Sequence, residues 1–247
     1  MKIIIAICIF LVFFLGLELI YESRTLYTFV VSLTEDKTTD LEKVLTIWDW
    51  MDSHITYDES SRGYLWRINI FRPSAFETFK SGRGKCGDIS RLFIVLTHYL
   101  RYTSRRVYLK NEAGRFHVAA EVFINGKWVF FNPPNKPLQE YSYYSLYNGE
   151  LASARELVLN PQIVAKKDGR QTADLFRNIN YINLEKFPLL KPCLSLIMYI
   201  LPKKAGSPYI PFMFEMPTLI WIIILGFILV MLAIFRIVLL KKTKANL

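Results

Sequence analysis

Two long apolar runs bracket a chain whose middle alternates between apolar and polar positions. Residues 3–17 contain no charge, and residues 219–235 are equally uncharged, with 237–240 extending that run past Arg236. A helix crossing the hydrocarbon core needs about 20 mostly apolar residues, and the C-terminal run meets that length. The N-terminal run is interrupted by Glu18 and has the length of a membrane anchor or of a signal peptide. No A-x-A-like site follows it, which favours an uncleaved anchor. Between Pro188 and Pro217, apolar pieces are broken by Lys191, Pro192, Pro202, Pro208 and Pro211. That pattern predicts an interfacial segment and not a third span.

In the middle of the chain, Thr39 and Glu42 have capping-box spacing ahead of Leu41, Val44, Leu45, Trp48, Met51 and Ile55. This predicts an amphipathic helix of about four turns. Residues 57–79 are aromatic-rich and irregular and read as a long loop with short elements. After Ser81-Gly82-Arg83-Gly84-Lys85-Cys86, the apolar positions Ile89, Leu92, Phe93, Leu96 and Leu100 share one helical face, so Cys86 falls at the helix start. Residues 105–110 read as a strand. Residues 117–124 and 127–132 flank Asn125-Gly126, a strong hairpin signal, and Pro133-Pro134 stops the second strand. Helix followed by antiparallel strands predicts an α+β fold. A further helix is expected around residues 150–159, and Lys166 to Gly169 read as a solvated turn.

Composition changes the picture at one point, the charge. The chain has 247 residues and a formal charge of +10, which invites a nucleic-acid reading. Lys2, Glu18, Arg236, Lys241, Lys242 and Lys244 lie in the terminal segments and account for four of those ten charges. The remaining six are spread thinly over residues 21–216, so no nucleic-acid partner is expected. The basic residues after the last apolar run place the C-terminal tail in the cytoplasm by the positive-inside rule, and Lys2 does the same for the N-terminus. The expected division is an anchor or signal peptide over 1–21, an extracytoplasmic or periplasmic domain over 35–160, a juxtamembrane region over 161–216, a transmembrane helix over 217–240 and a basic tail over 241–247.

The candidate chemistry starts from a thiol. A cysteine at a helix N-terminus feels the positive end of the dipole and unpaired N–H groups, which favour the thiolate. Gly84 and Gly87 beside Cys86 leave room for a substrate. A nucleophilic thiol needs a base held by a third polar group. With a two-residue hairpin, Ile124 faces Lys127 and Asn132 faces Ala119, which puts His117 and Asn132 on one face at a diagonal. Cys86, His117 and Asn132 then have the Cys-His-Asn logic of papain-like enzymes. Asp88 reads as a first-turn acid, His54 and His98 as structural, and the tyrosines between 141 and 147 as a packed or interfacial surface. The other cysteines, Cys8 and Cys193, read as structural. No metal or cofactor is expected.

Three blocks resemble the transglutaminase-like superfamily core, which shares the papain-like architecture. They are Gly84-Lys85-Cys86-Gly87-Asp88-Ile89-Ser90, His117-Val118-Ala119-Ala120-Glu121-Val122, and Asn125-Gly126-Lys127-Trp128 leading to Asn132-Pro133. The helix carrying Trp48 is similar to the one preceding that core, and the resemblance covers about residues 40–135. It implies a nucleophile helix packed on an antiparallel sheet, with Cys86 as nucleophile, His117 as base and acid, and position 132 as orienter of the imidazole. Two positions depart from the pattern. Asn132 stands where the family usually has Asp and lacks its charge, and Ala119 stands where an aromatic is common. The resemblance implies peptidase, amidase or acyl-transfer chemistry, with hydrolysis preferred. A protein or peptide of the cell envelope is the expected substrate and the lipid bilayer the expected surroundings. The departures motivate an alternative, a peptide-binding or scaffold module without turnover. Oligomeric state is left open by the sequence.

Overall fold

A computed structural model describes residues 2–58, 73–112, 114, 116–134, 141–181, 203–204, 207–208 and 212–245. Cys193 and most of the predicted interfacial segment lie outside them. The centre is a five-stranded antiparallel sheet in the order β6-β5-β4-β3-β7. Its strands are β3 (Thr103–Lys110), β4 (Phe116–Ile124), β5 (Lys127–Asn132), β6 (Ser142–Tyr143) and β7 (Asn178–Asn180). Asn125 and Gly126 take φ of 50° and 82°, the left-handed pair that a two-residue hairpin needs, and Ile124 pairs with Lys127. Mixed helix and sheet in this arrangement make the fold α+β.

Alternation along the strands builds two different faces. Ala120, Val122, Ile124, Val129 and Phe131 point to the side covered by α2 (Asp40–His54) and α4 (Cys86–Tyr99). Trp48, Phe93 and Phe131 meet there with ring centroids 4.8–5.2 Å apart. The opposite face carries Val107, Leu109, Ala119 and Phe130 and is covered by α5 (Ala154–Leu159), α6 (Pro161–Asp168), α7 (Arg170–Ala173) and a 3-10 turn at Asp174–Arg177.

The predicted helix start at Thr39 is present as a complete capping box with Glu42. A second box, Ser74 with Glu77, starts α3 (Ala75–Ser81) inside the stretch expected to be a loop. The expected helix near 150–159 is shorter, beginning at Ala154 behind a third box, Ser153 with Glu156. The expected turn at Lys166 to Gly169 is instead the last turn of α6, ending at Gly169 with φ of 84°.

Two helices are long and apolar enough to cross a membrane, over Ile3–Thr34 and Pro217–Arg236. The first, α1 (Lys2–Thr34), does not stop near residue 21 but continues into the domain, where Leu26 and Val30 join the core. Its polar residues follow the change of surroundings: Glu22 is buried and accepts a hydrogen bond from Ser74 Oγ at 2.8 Å. The last helix, α8 (Pro217–Ala245), packs along α1. Just before it, a 3-10 turn (Phe212–Glu215) inserts Glu215 between Arg106 of β3 and Arg91 of α4. Burial pushes this carboxyl up, but the two guanidiniums outweigh it and hold Glu215 below the usual carboxylate range.

Candidate active site

The start of α4 is fixed by the chain on both sides of it. Two short strands, β1 (Thr56–Tyr57) and β2 (Arg83–Gly84), pair in parallel, joining the end of α2 to the residues before Cys86. Gly84 has no room for a side chain, since a Cβ there would stand 3.0 Å from Asp88 Cβ and 3.2 Å from Thr78 Cγ2. Lys85 is the N-cap residue, and its backbone N–H donates to Asp88 at 3.2 Å. Asp88 therefore serves the helix start, as a first-turn acid should. Cys86 is the first helical residue and is half-buried.

α4 runs alongside β4. Ser90 Oγ donates to the carbonyl of Val118 at 3.1 Å, and near the helix end Thr97 Oγ1 meets Ser104 Oγ at 2.7 Å, Ser104 being the partner of Val122. Cys86, one turn before Ser90, is thus at the end of the sheet where His117 begins. The imidazole itself points to the far face, in line with Ala119 and Leu109. His117 Nε2 is 2.6 Å from Asn132 Oδ1, the diagonal contact that the hairpin register requires. Nδ1 is buried and has no hydrogen-bond partner among the described residues, so imidazole and thiol are not joined by a hydrogen bond.

Burial lowers the His117 pKa to about 4, against the opposing pull of the Asn132 hydrogen bond and the negative charge of Asp168. The ring is therefore neutral near pH 7, the form that accepts a proton.

Behind Asn132 lies a polar group that the sequence pattern did not show. Asn132 Nδ2 donates to Tyr144 Oη at 3.1 Å and approaches Asp168 Oδ2 at 3.5 Å. The Tyr144 hydroxyl donates to Asp168 Oδ2, and Ser142 Oγ donates to Asp168 Oδ1 at 3.3 Å. Burial and then the charge of Asp168 raise the Tyr144 pKa, keeping its proton in place. The Tyr144 ring packs against Phe130 and Phe176, in keeping with the packed surface expected of the tyrosine cluster, and its hydroxyl in addition joins this buried polar chain. Asp168 is half-buried and bonded, where a solvated turn was expected. Asp168 lies 36 residues from Asn132, and no sequence periodicity links the two.

His98 stacks on Phe212 with centroids 3.6 Å apart, and His54 stacks on Trp50 at 4.9 Å, both structural contacts. No cluster of metal-ligating side chains occurs among the described residues.

Residues 27–133 match the family model of the transglutaminase-like superfamily. This segment is a transglutaminase-like core. No curated protein matches the chain. Among solved structures, a Cytophaga hutchinsonii protein provisionally named a cysteine protease is 25% identical over 48% of this chain and 40% of that one, with a TM-score of 0.39. A TGase is 17% identical over 49% of this chain and 35% of that one, TM-score 0.39. A Parabacteroides distasonis protein provisionally named a protease is 18% identical over 48% of this chain and 24% of that one, TM-score 0.33. The matched part spans well under two thirds of each of those proteins. The transglutaminase-like core holds the helix start at Cys86 and the hairpin of His117 and Asn132.

Proposed function

We propose that this protein is a membrane-anchored cysteine acyl-transfer enzyme acting on amide bonds, with Cys86, His117 and Asn132 as its triad. The observation that carries the reading is the His117–Asn132 contact at 2.6 Å, which leaves Nδ1 as the nitrogen without a partner among the described residues. In the proposed reaction, His117 Nδ1 takes the Cys86 thiol proton and the sulfur attacks the amide carbonyl carbon. The C–N bond breaks as the same proton passes to the leaving amine, giving a thioester. Water, deprotonated by His117, then attacks the thioester, releasing the carboxylic acid and restoring the thiol. The Cys86 backbone N–H lies in the first turn of α4, where the positive end of the helix dipole suits the developing oxyanion. Water is the preferred acceptor over an amine, because no feature of the sequence marks an amine site. We place the domain, expected from the sequence over residues 35–160 and completed in the fold by α6, α7 and β7, outside the cytoplasm between the two anchors, with the basic tail inside. The substrate on this reading is a protein or peptide of the cell envelope.

Alkylation of Cys86 by iodoacetamide, read on the Cys86 peptide by mass spectrometry, tests the reading. Reaction well below pH 8 that slows in His117→Ala is the expected result. A thiol as sluggish as free cysteine would favour the second reading, a binding module without turnover. The full burial of His117 and its position on the sheet face away from α4 speak for that alternative. A periplasm-dependent reporter inserted near Gly114 should be active, and one fused after Leu247 should not.

A further inference from the structure

The geometry points to Asp168 as a positioning residue: acting through Tyr144 and Asn132, it supplies the negative charge that position 132 lacks and sets which nitrogen of His117 carries the proton. The inference rests on the proposed triad and extends it by a residue outside the segment that matches the family model.

The argument is one of hydrogen-bond direction. A neutral imidazole can donate from either nitrogen, an amide can be turned either way, and a tyrosine hydroxyl can donate or accept. His117, Asn132 and Tyr144 alone therefore have no fixed polarity. An ionised carboxylate can only accept. With Asp168 at the end, the Tyr144 O–H points to Asp168 and its oxygen is left to accept from Asn132 Nδ2–H at 3.1 Å. The amide is then held with Oδ1 toward His117, and at 2.6 Å that oxygen requires a proton on Nε2. In the neutral ring Nδ1 is consequently bare, as a base for a thiol must be. The second approach of Asn132 Nδ2 to Asp168, at 3.5 Å, acts in the same sense. Ser142 Oγ, donating to the other carboxylate oxygen at 3.3 Å, holds Asp168 from the β6 side. The chain is mostly shielded from water, since His117 and Tyr144 are each 1% exposed and Asn132 0%. In such surroundings both the orientation and the charge of a carboxylate act strongly on the ring.

The test uses the full chain in detergent micelles, with two readouts. The first is the tautomer of His117 by ¹⁵N NMR on histidine-labelled protein, assigned with H117Q. The second is the alkylation rate of Cys86 by iodoacetamide at pH 7. Wild type should show the Nε2–H tautomer. Asp168→Asn should populate the Nδ1–H form and slow alkylation by about tenfold, the equivalent of one pKa unit. Tyr144→Phe, which cuts the chain without touching Asp168, should move both readouts in the same direction. The exchange N132D/D168N moves the carboxylate next to the ring and should return the Nε2–H form and the rate to within about threefold of wild type. A wild-type ring in the Nδ1–H form would overturn the inference. So would Asp168→Asn and Tyr144→Phe proteins with unchanged tautomer and rate. A wild-type Cys86 no faster than a free thiol would sink the triad while the tautomer series still decides the role of Asp168.

Discussion

β3 carries two adjacent arginines that the pleat sends to opposite faces of the sheet, and each meets a buried carboxylate. On the α4 face, Arg106 and Arg91 together hold Glu215. On the far face, Arg105 pairs with Glu121 at 2.6 Å and Ala154 N–H donates to the same carboxyl at 2.7 Å. The outcomes differ in sign. Burial raises the Glu121 pKa despite Arg105, whereas two guanidiniums bring Glu215 below the usual range. One cation does not offset full desolvation of a carboxylate here, and two do. The α4 face thus combines an apolar core with one strongly charged lock. The far face has its own apolar cluster and, in place of one doubly held carboxylate, a series of separate polar contacts to which the His117 chain belongs.

The largest effect should come from breaking the lock. Glu215→Ala leaves two buried guanidiniums without their carboxylate and should cost about 3–5 kcal/mol in denaturant unfolding in detergent. A loss below about 1 kcal/mol would contradict the comparison of the two faces.

The far face should show itself through pH. His117 has a folded pKa of about 4, below its unfolded value near 6.5, so the unfolded chain binds the extra proton between those limits. Stability should rise with pH across that window and fall by roughly 3 kcal/mol on acidification from above pH 6.5 to below 4. His117→Gln should remove that part of the slope, and an unchanged slope would show that the imidazole is not held neutral.

Glu121→Gln should cost less than the loss of Glu215, about 1–3 kcal/mol, because a single guanidinium loses a single partner. Replacing the pair together, as Arg105→Met with Glu121→Leu, should lie closer to wild type than either single change. The smallest effect expected is Thr39→Ala, about 1 kcal/mol from losing the cap of α2. It touches neither face and sets the scale for a local contact.

What could be read from the sequence was what is local. The Asn125-Gly126 turn fixes the register, and the register fixes the diagonal of His117 and Asn132. The apolar spacing after Cys86 reports the start of α4 in the same way. α3 escaped because its aromatic residues mask a short helix, although Ser74-x-x-Glu77 is a capping box in plain view. The length of α1 escaped because Glu18, Glu22 and Arg24 look like the end of an anchor, while Glu22 is accommodated by Ser74, far along the chain. Asp168 escaped for a similar reason. A polar residue at the end of a short polar helix has no pattern of its own, and its role exists only once α6 lies under β5 and β6.

The lock at Glu215 also sets how far the domain can reach. A single residue, Met216, separates Glu215 from Pro217, so about 8 Å of chain lies between a side chain fixed in the domain and the first residue of α8. The 33 residues of α1 make a rod of about 50 Å, longer than the roughly 30 Å hydrocarbon core, and its surplus is built into the domain at Leu26 and Val30. A domain on a flexible tether sweeps a volume set by its linker. This one stands on two stiff struts and, in a bilayer, works at one height and one tilt. On the proposed function, a substrate amide has to reach that level.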